Sequence, residues 1–244
     1  MIEAAFRIRQ AGLWYQASGD FPDDASVLDA LEALRLRDPR GFPAYRHSCH
    51  HGSCGTCGAI INGTESLMCL TRLSELAAPR PDKGGGAPSE PVLEGQGRLV
   101  VTLEPLARAV LIAGIAARPA GLLEGVPADA GYHVPSDPAG RADLPGDAIG
   151  RSRFDACIEC GLCLSACPAP EPFIGPAALA ALHGLAEREP GRSGPILDRA
   201  GQPDGVAACR KHFACSRVCP QGVAPGKRIQ LLRNELGRRP QNAG

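Results

Sequence analysis

The sequence predicts an α+β protein, with a strand-rich N-terminal part and a mostly helical C-terminal part. Four short apolar segments in the first part are predicted to be strands: 2–9, 13–18, 58–62 and 98–105. Residues 25–37 instead carry apolar side chains at a helical period: Val27, Leu28, Leu31 and Leu34. Asp23 or Asp24 is expected to cap that helix. Strands around one helix, with a cysteine-bearing loop after it, indicate a small β-grasp sheet.

The C-terminal part shows helical periods over 176–189 and 225–239 and no apolar strand candidate. We place the boundary so that residues 1–107 form the first domain and 108–244 the second, whose compact portion begins near residue 150. Proline and glycine predict an exposed loop over 79–91 and an irregular connection over 126–147.

Composition limits the classes of function. The chain has 244 residues, of which 44% are hydrophobic and only 4% aromatic, so the core is expected to be aliphatic. Lysine plus arginine equals aspartate plus glutamate, at 26 each. This balance gives no support for a nucleic acid or an acidic membrane surface as the main partner.

The 11 cysteines are the most informative count. An odd number does not suit complete disulfide pairing, and the opening "MIEAAFRIRQ" lacks the apolar stretch of a secretion signal. We therefore expect a reducing compartment in which cysteines bind metal. The longest apolar run, 109–117, is far shorter than the ~20 residues of a spanning helix, so we expect a chain that does not cross a membrane.

The first cysteine group has the spacing Cys-x4-Cys-x2-Cys, with a fourth cysteine further on, and consists of Cys49, Cys54, Cys57 and Cys69. This spacing is typical of a plant-type 2Fe–2S centre, and the glycines between the thiols let the backbone approach the cluster. A structural zinc site is the alternative, although zinc commonly uses two Cys-x2-Cys pairs. His47, His50 and His51 flank the loop and are expected to be solvated or hydrogen-bonded, since four thiols already complete the site.

The second group is "CIECGLCLSACP" at 157–168, the Cys-x2-Cys-x2-Cys-x3-Cys-Pro pattern of two-cluster ferredoxins. It repeats at 209–220 as "CRKHFACSRVCP", with His212 in the place of Cys160. In such pairs the last cysteine of each motif ligates the other cluster. The crossed rule assigns a 4Fe–4S cluster to Cys157, Cys160, Cys163 and Cys219. It assigns a third cluster to Cys167, Cys209 and Cys215.

His212 stands at the corner of the third cluster that lacks a thiolate. A cubane without one thiolate loses its fourth iron readily, which predicts a 3Fe–4S centre. The alternative is a 4Fe–4S cluster in which the imidazole of His212 holds the fourth iron, since imidazole also suits iron.

With these motifs in place, the chain resembles the iron–sulfur subunit of succinate dehydrogenase and fumarate reductase (complex II). The resemblance lies in "RHSCHHGSCGTC" with Cys69, in "CIECGLCLSACP", in "FIGPAALAA" and in "CRKHFACSRVCPQG". It implies 2Fe–2S, 4Fe–4S and 3Fe–4S clusters in that order. It further implies a FAD-containing partner that binds the dicarboxylate, and a membrane anchor with quinone and in some cases haem, on the cytoplasmic face of the cell membrane. No residue of this chain is then catalytic.

The sequence departs from the family pattern around the expected quinone site. Many members carry a tryptophan after the second motif, whereas Trp14 is the only tryptophan here. Many also carry a histidine after the first cysteine of the last motif, where this chain has Arg210. The quinone-site candidates are therefore Pro168, Arg210, Lys211 and His212, although a solvated basic patch is an alternative for Arg210 and Lys211.

Other functions stay open at this point. The altered quinone positions allow a subunit of a related dehydrogenase, or of a thiol:fumarate reductase with a different electron partner. A zinc-stabilised interaction protein would contain zinc without iron or sulfide. An iron–sulfur transcription regulator would need a nucleic-acid surface, which the neutral charge does not favour.

Overall fold

The computed structural model describes residues 1–79, 90–95, 97–123, 125–126, 157–188 and 190–239. The predicted loop over 79–91 and the connection over 126–147 lie outside the described residues except at their ends, as does the predicted start near residue 150. Backbone packing divides the chain into two compact units. The first contains Met1–Ala120 and Cys160–Ala166, and the second contains Gly121–Glu159 and Cys167–Gly244.

The first unit is built on a mixed sheet. Its elements are β1 (Ile2–Gln10), β2 (Leu13–Phe21), α1 (Val27–Arg37), β3 (Gly58–Ile61), β4 (Thr64–Leu67), the single turn α2 (Leu73–Leu76), β5 (Leu93–Glu94) and β6 (Arg98–Glu104). The strand order is β2-β1-β6-β3-β4, with β5 also paired to β6, and β1 and β6 run parallel. This arrangement around one helix confirms the predicted β-grasp sheet and all four predicted strands.

The core of this unit follows the periodicities in the sequence. Alternate residues of β1 point inward, and Phe6 and Ile8 are almost fully buried. The four apolar positions predicted for the inner face of α1 are all buried as well. Phe6 packs edge-on against Phe21 at the end of β2, with ring centroids 5.7 Å apart.

The cap of α1 differs from the prediction of Asp23 or Asp24. Ser26 is the capping residue: its Oγ accepts from the Asp29 N–H at 3.1 Å, and the Asp29 carboxylate accepts from the Ser26 N–H at 2.9 Å. Such a reciprocal pair needs a hydroxyl directly before the helix and an acidic residue three positions on. Asp23 lies too far upstream and pairs with the N-terminal amine instead.

Replacement Ser26→Ala is expected to destabilise the protein by about 1 kcal/mol, because the Asp29 N–H in the first turn of α1 loses its acceptor. In a chain of this size that loss lowers the Tm by about 2–4 °C. Thermal unfolding followed by circular dichroism tests this, with the exposed Ser74→Ala as the matched control. Equal melting temperatures for the two variants would contradict the capping role.

A hairpin that the sequence analysis did not predict follows β6. It consists of β7 (Ala109–Ala113) and β8 (Ala116–Pro119), which turn at Gly114 with φ +54°. The N–H groups of Ile115 and Ala116 donate to the Ala44 carbonyl at 2.9 and 3.1 Å. The hairpin therefore fixes the segment just before the first cysteine loop. It also belongs to the first compact unit, and the division at residue 107 stays a prediction.

The second unit is helical, as predicted. It contains α4 (Pro176–Arg188), α5 (Ser193–Ala200), the single turn α6 (Ala214–Arg217) and α7 (Pro225–Arg238); the single turn α3 (Leu162–Ser165) belongs to the first unit. The core lies between α4, α5 and α7, with Leu182, Ile196 and Leu232 among its buried side chains. In the described ranges no helix is both long and apolar enough to span a membrane.

Candidate iron–sulfur sites

Three cysteines of the first group, Cys49, Cys54 and Cys57, lie on the loop that connects α1 to β3, and Cys69 follows β4. Gly52 and Gly55 adopt φ values of +82° and +72°, which L-residues with a side chain rarely adopt. A Cβ on Gly52 would also lie 2.7 Å from Cδ1 of Leu70. The loop can therefore curl tightly only with glycine at this position, and the curl turns backbone N–H groups toward the thiols.

Hydrogen-bond donors surround the two more exposed thiols of this loop. Cys49 Sγ accepts from the N–H groups of Ser53 and Cys54 at 3.3 and 3.4 Å. Cys54 Sγ lies 3.1 Å from the Thr56 hydroxyl. Hydrogen bonding from Ser53 and from the backbone of His51 lowers the pKa of the Cys49 thiol to about 5. A thiol held as thiolate in this way is ready to bind iron.

The other two thiols of the group form a buried pair. Cys57 Sγ and Cys69 Sγ are 3.3 Å apart and are not disulfide-bonded. Burial, followed by the hydrogen bond with Cys57, raises the pKa of Cys69 to about 12, and the charge of Cys49 adds to the effect. The structure thus brings all four predicted residues of the first group together. This donor set fits a 2Fe–2S cluster, which uses four thiolates.

The three neighbouring histidines are hydrogen-bonded, as predicted. His47 Nδ1 lies 2.9 Å from His50 Nε2, while His47 Nε2 lies 3.3 Å from the Glu32 carboxylate. His51 uses one ring nitrogen on the Cys49 carbonyl and the other on the Ser53 hydroxyl. Their ring nitrogens are thereby engaged with one another and with the loop.

The two C-terminal motifs share one backbone conformation. In the first motif Glu159 and Gly161 have φ values of 56° and 78°; at the matching positions of the second, Lys211 and Phe213 have 58° and 57°. The turn α3 and the turn α6 then begin at matching residues, Leu162 and Ala214. The repeat seen in the sequence is therefore a repeat of structure.

This conformation is unfavourable for Lys211 and Phe213, since a side chain in the left-handed region costs about 1 kcal/mol or more. Both residues flank His212, which consequently occupies the place that Cys160 has in the first motif. The Arg217 guanidinium donates to the His212 carbonyl at 2.9 Å and holds this turn. The second motif keeps the shape of a cluster-binding loop although one cysteine is replaced.

A cavity in the second unit is lined by the three thiols assigned to the third cluster: Cys167, Cys209 and Cys215. The quinone-site candidates line the same cavity: Pro168, Arg210, Lys211 and His212. Burial, then the charge of Cys167, raises the pKa of the Cys215 thiol to about 11. Three thiols around one cavity fit a cluster that lacks a fourth thiolate.

The remaining four cysteines are divided between the compact units. Cys160 and Cys163 belong to the first unit, and Cys157 and Cys219 belong to the second. None of the four is in a disulfide, and all four are half-buried. In the first unit the Ser165 hydroxyl donates to Glu65 at 3.0 Å and accepts from the Ala107 N–H at 2.9 Å, which anchors α3 next to β4. The ligand set of the second cluster stays a prediction.

Across the described residues, no three cysteine, histidine or acidic side chains converge as ligands of a single ion would. Clusters need a different arrangement, because each of their irons takes only one or two thiolates and the sulfurs stand around the cluster. The result for single ions in the described residues therefore does not bear on cluster ligation.

A β-grasp unit with a Cys-x4-Cys-x2-Cys loop, joined to a helical unit with a repeated cysteine motif, defines an iron–sulfur electron carrier of the ferredoxin type. Two family comparisons agree with this class. The 2Fe-2S iron-sulfur cluster binding domain matches residues 8–114, and the 4Fe-4S dicluster domain matches residues 153–223.

The chain belongs to the family of iron–sulfur subunits of succinate dehydrogenase and fumarate reductase. It is 32% identical over 218 residues to the succinate dehydrogenase iron-sulfur subunit of Coxiella burnetii, covering 86% of this chain and 83% of the relative. It is 30% identical over 215 residues to the fumarate reductase iron-sulfur subunit of Mycobacterium tuberculosis, covering 84% and 78%.

A solved structure shows the same fold. A chain of the Mycobacterium smegmatis Sdh1 complex in the apo form superposes with a TM-score of 0.70 at 22% identity. The match covers 99% of this chain and 98% of that chain. The fold thus extends over both units, including the hairpin that follows β6.

Proposed function

We propose that this chain is the electron-transfer subunit of a succinate:quinone or quinol:fumarate oxidoreductase. It relays electrons between a FAD-containing subunit and quinone in a membrane anchor. The observation that carries this proposal is the combination of family membership with two thiol groupings in the structure, one at the first cysteine loop and one around the cavity. One-electron centres in series suit such a relay, because they divide the two-electron output of a flavin into single steps.

Eleven cysteines supply the ligands, with none left over. The first set holds 2Fe–2S through Cys49, Cys54, Cys57 and Cys69. The second set holds 4Fe–4S through Cys157, Cys160, Cys163 and Cys219. The third holds 3Fe–4S through Cys167, Cys209 and Cys215. The loop conformations and the thiol-lined cavity support the first and third assignments.

The third cluster is the exit toward quinone. Its cavity is rimmed by Arg210, Lys211 and His212, all of which are exposed, and Phe213 beside them is 46% exposed. Basic side chains and an aromatic ring at the mouth of this cavity suit contact with a membrane anchor and with a quinone carbonyl. The tryptophan of many family members has no counterpart at this cavity, because the one tryptophan of the chain, Trp14, lies on β2 of the first unit. The basic residues and Phe213 take its place in the proposed site. Contact with an anchor through this face makes the subunit peripheral, on the cytoplasmic face of the cell membrane.

The purified complex, assayed with succinate and a water-soluble quinone analogue, tests this function. Wild-type complex is expected to turn over, and Arg210→Gln is expected to raise the KM for quinone several-fold. Arg238→Gln, at the far end of α7, is the matched control and should leave KM unchanged. No succinate-dependent quinone reduction by the wild-type complex would overturn the proposal.

A second candidate is a subunit of a related enzyme, such as a thiol:fumarate reductase with another electron partner. Arg210 in place of the family's histidine favours it. The same complex assayed with fumarate and a thiol donor separates the two functions. Turnover on thiol without turnover on quinone would select this alternative.

A further inference from the structure

The hydroxyl of Thr56 lies against the sulfur of Cys54, with Oγ1 and Sγ 3.1 Å apart. Thr56 stands between Cys54 and Cys57 in the first cluster loop, and its side chain is half-buried. A thiol and a hydroxyl can each donate, so the contact alone leaves the direction open. Iron ligation removes the thiol proton, and a thiolate only accepts. In the loaded protein the hydroxyl is therefore the donor.

We propose that Thr56 raises the reduction potential of the first centre by donating this hydrogen bond to Cys54. The inference rests on the proposed function, because it requires a 2Fe–2S centre in the loop. Reduction adds negative charge that the ligand sulfurs share, so a donor stabilises the reduced form more than the oxidised form. A half-buried position leaves less water to replace a lost donor.

Thr56 is distinguished from the other donors of the loop. The donors to Cys49 at 3.3 and 3.4 Å are backbone N–H groups, which stay in place when a side chain is shortened. The Ser53 hydroxyl is shared, since it lies 3.0 Å from His51 Nε2 and also hydrogen-bonds to Cys49. Among the residues that the structure describes, the Thr56 hydroxyl is directed at one ligand sulfur only.

An EPR-monitored redox titration of the 2Fe–2S centre in the purified complex tests the proposal. Thr56→Val keeps the shape of the side chain and removes the hydroxyl. At a fixed ambient potential it should lower the ratio of reduced to oxidised centre by between about twofold and about tenfold, the latter corresponding to 59 mV for one electron. Thr56→Ser should restore the wild-type value. Thr64→Val, at an exposed position that opens β4, is the matched control and should not move the potential.

An unchanged potential in Thr56→Val, or an equal fall in Thr56→Ser, would overturn the role of Thr56. Iron and sulfide content and the visible spectrum are recorded on the same samples. A wild-type chain without a 2Fe–2S spectrum would overturn the proposed function itself, whereas an intact centre with an unmoved potential would overturn only this inference. Should the valine variant not assemble, Thr56→Ala compared with Thr56→Ser makes the same distinction.

Discussion

Replacement of His212 by cysteine is expected to convert the third centre from 3Fe–4S to 4Fe–4S. The backbone around His212 already has the conformation that surrounds Cys160 in the first motif, including left-handed residues on both sides. A thiolate at that position completes the ligand set together with the three thiols of the cavity. The reduction potential of the centre should fall by on the order of 100 mV or more, because cluster type is a main determinant of potential.

EPR spectroscopy of the air-oxidised protein measures this conversion directly. The oxidised 3Fe–4S centre of the wild type is paramagnetic, whereas an oxidised 4Fe–4S centre is silent, so the signal should disappear in His212→Cys. His212→Ala is the control and should keep the signal, since the proposed 3Fe–4S centre needs no ligand there. A wild type with a 4Fe–4S centre that His212→Ala destroys would show instead that the imidazole holds a fourth iron.

Exchange of ligands between the two C-terminal motifs gives the second large effect. Cys219→Ala is expected to abolish the signal of the reduced 4Fe–4S cluster and to preserve the 3Fe–4S signal. Cys167→Ala should do the reverse. The reason is the crossed assignment, which the structure supports for the third cluster. The charge of Cys167 acts on Cys215, and Cys167 lines the same cavity as Cys209 and Cys215.

Both variants are compared in the purified complex by low-temperature EPR, in the dithionite-reduced and the air-oxidised states. Iron analysis should show a larger loss of iron per chain in Cys219→Ala, which loses a four-iron cluster, than in Cys167→Ala, which loses a three-iron cluster. The opposite pattern, with Cys219→Ala removing the 3Fe–4S signal, would mean that each motif supplies its own cluster. That result would exchange Cys167 and Cys219 between the two clusters.

The fold was predictable from the sequence where one periodicity dominated. The alternation along β1 and the helical period of α4 each match the buried residues that the structure shows. The hairpin β7–β8 was missed because its apolar run is exposed, with Leu111 54% and Ile112 60% accessible, so no inward and outward alternation marks it as a strand. Its turn is held by hydrogen bonds to the Ala44 carbonyl, a distant backbone contact that leaves no trace in the local sequence.

For the site, cysteine spacing was sufficient to group the thiols, because thiolate ligation to clusters imposes that spacing. It could not show that Lys211 and Phe213 would adopt a left-handed conformation, since neither residue type favours it. Thr56 was also missed, because a threonine between two cysteines carries no motif and its contact with Cys54 depends on the curl of the loop. A histidine in the interior of α4 was likewise not singled out: His183 is 2% exposed and lies 3.3 Å from the Glu187 carboxylate.

We propose that this chain carries three clusters of different type, the last of which has an open corner beside His212. The EPR spectrum of the air-oxidised wild-type complex tests it most directly. We predict a 3Fe–4S signal of about one spin per chain, which is replaced after dithionite reduction by the signals of a 2Fe–2S and a 4Fe–4S centre. A chain that contains zinc without iron or acid-labile sulfide, and gives no signal in either state, would contradict the account.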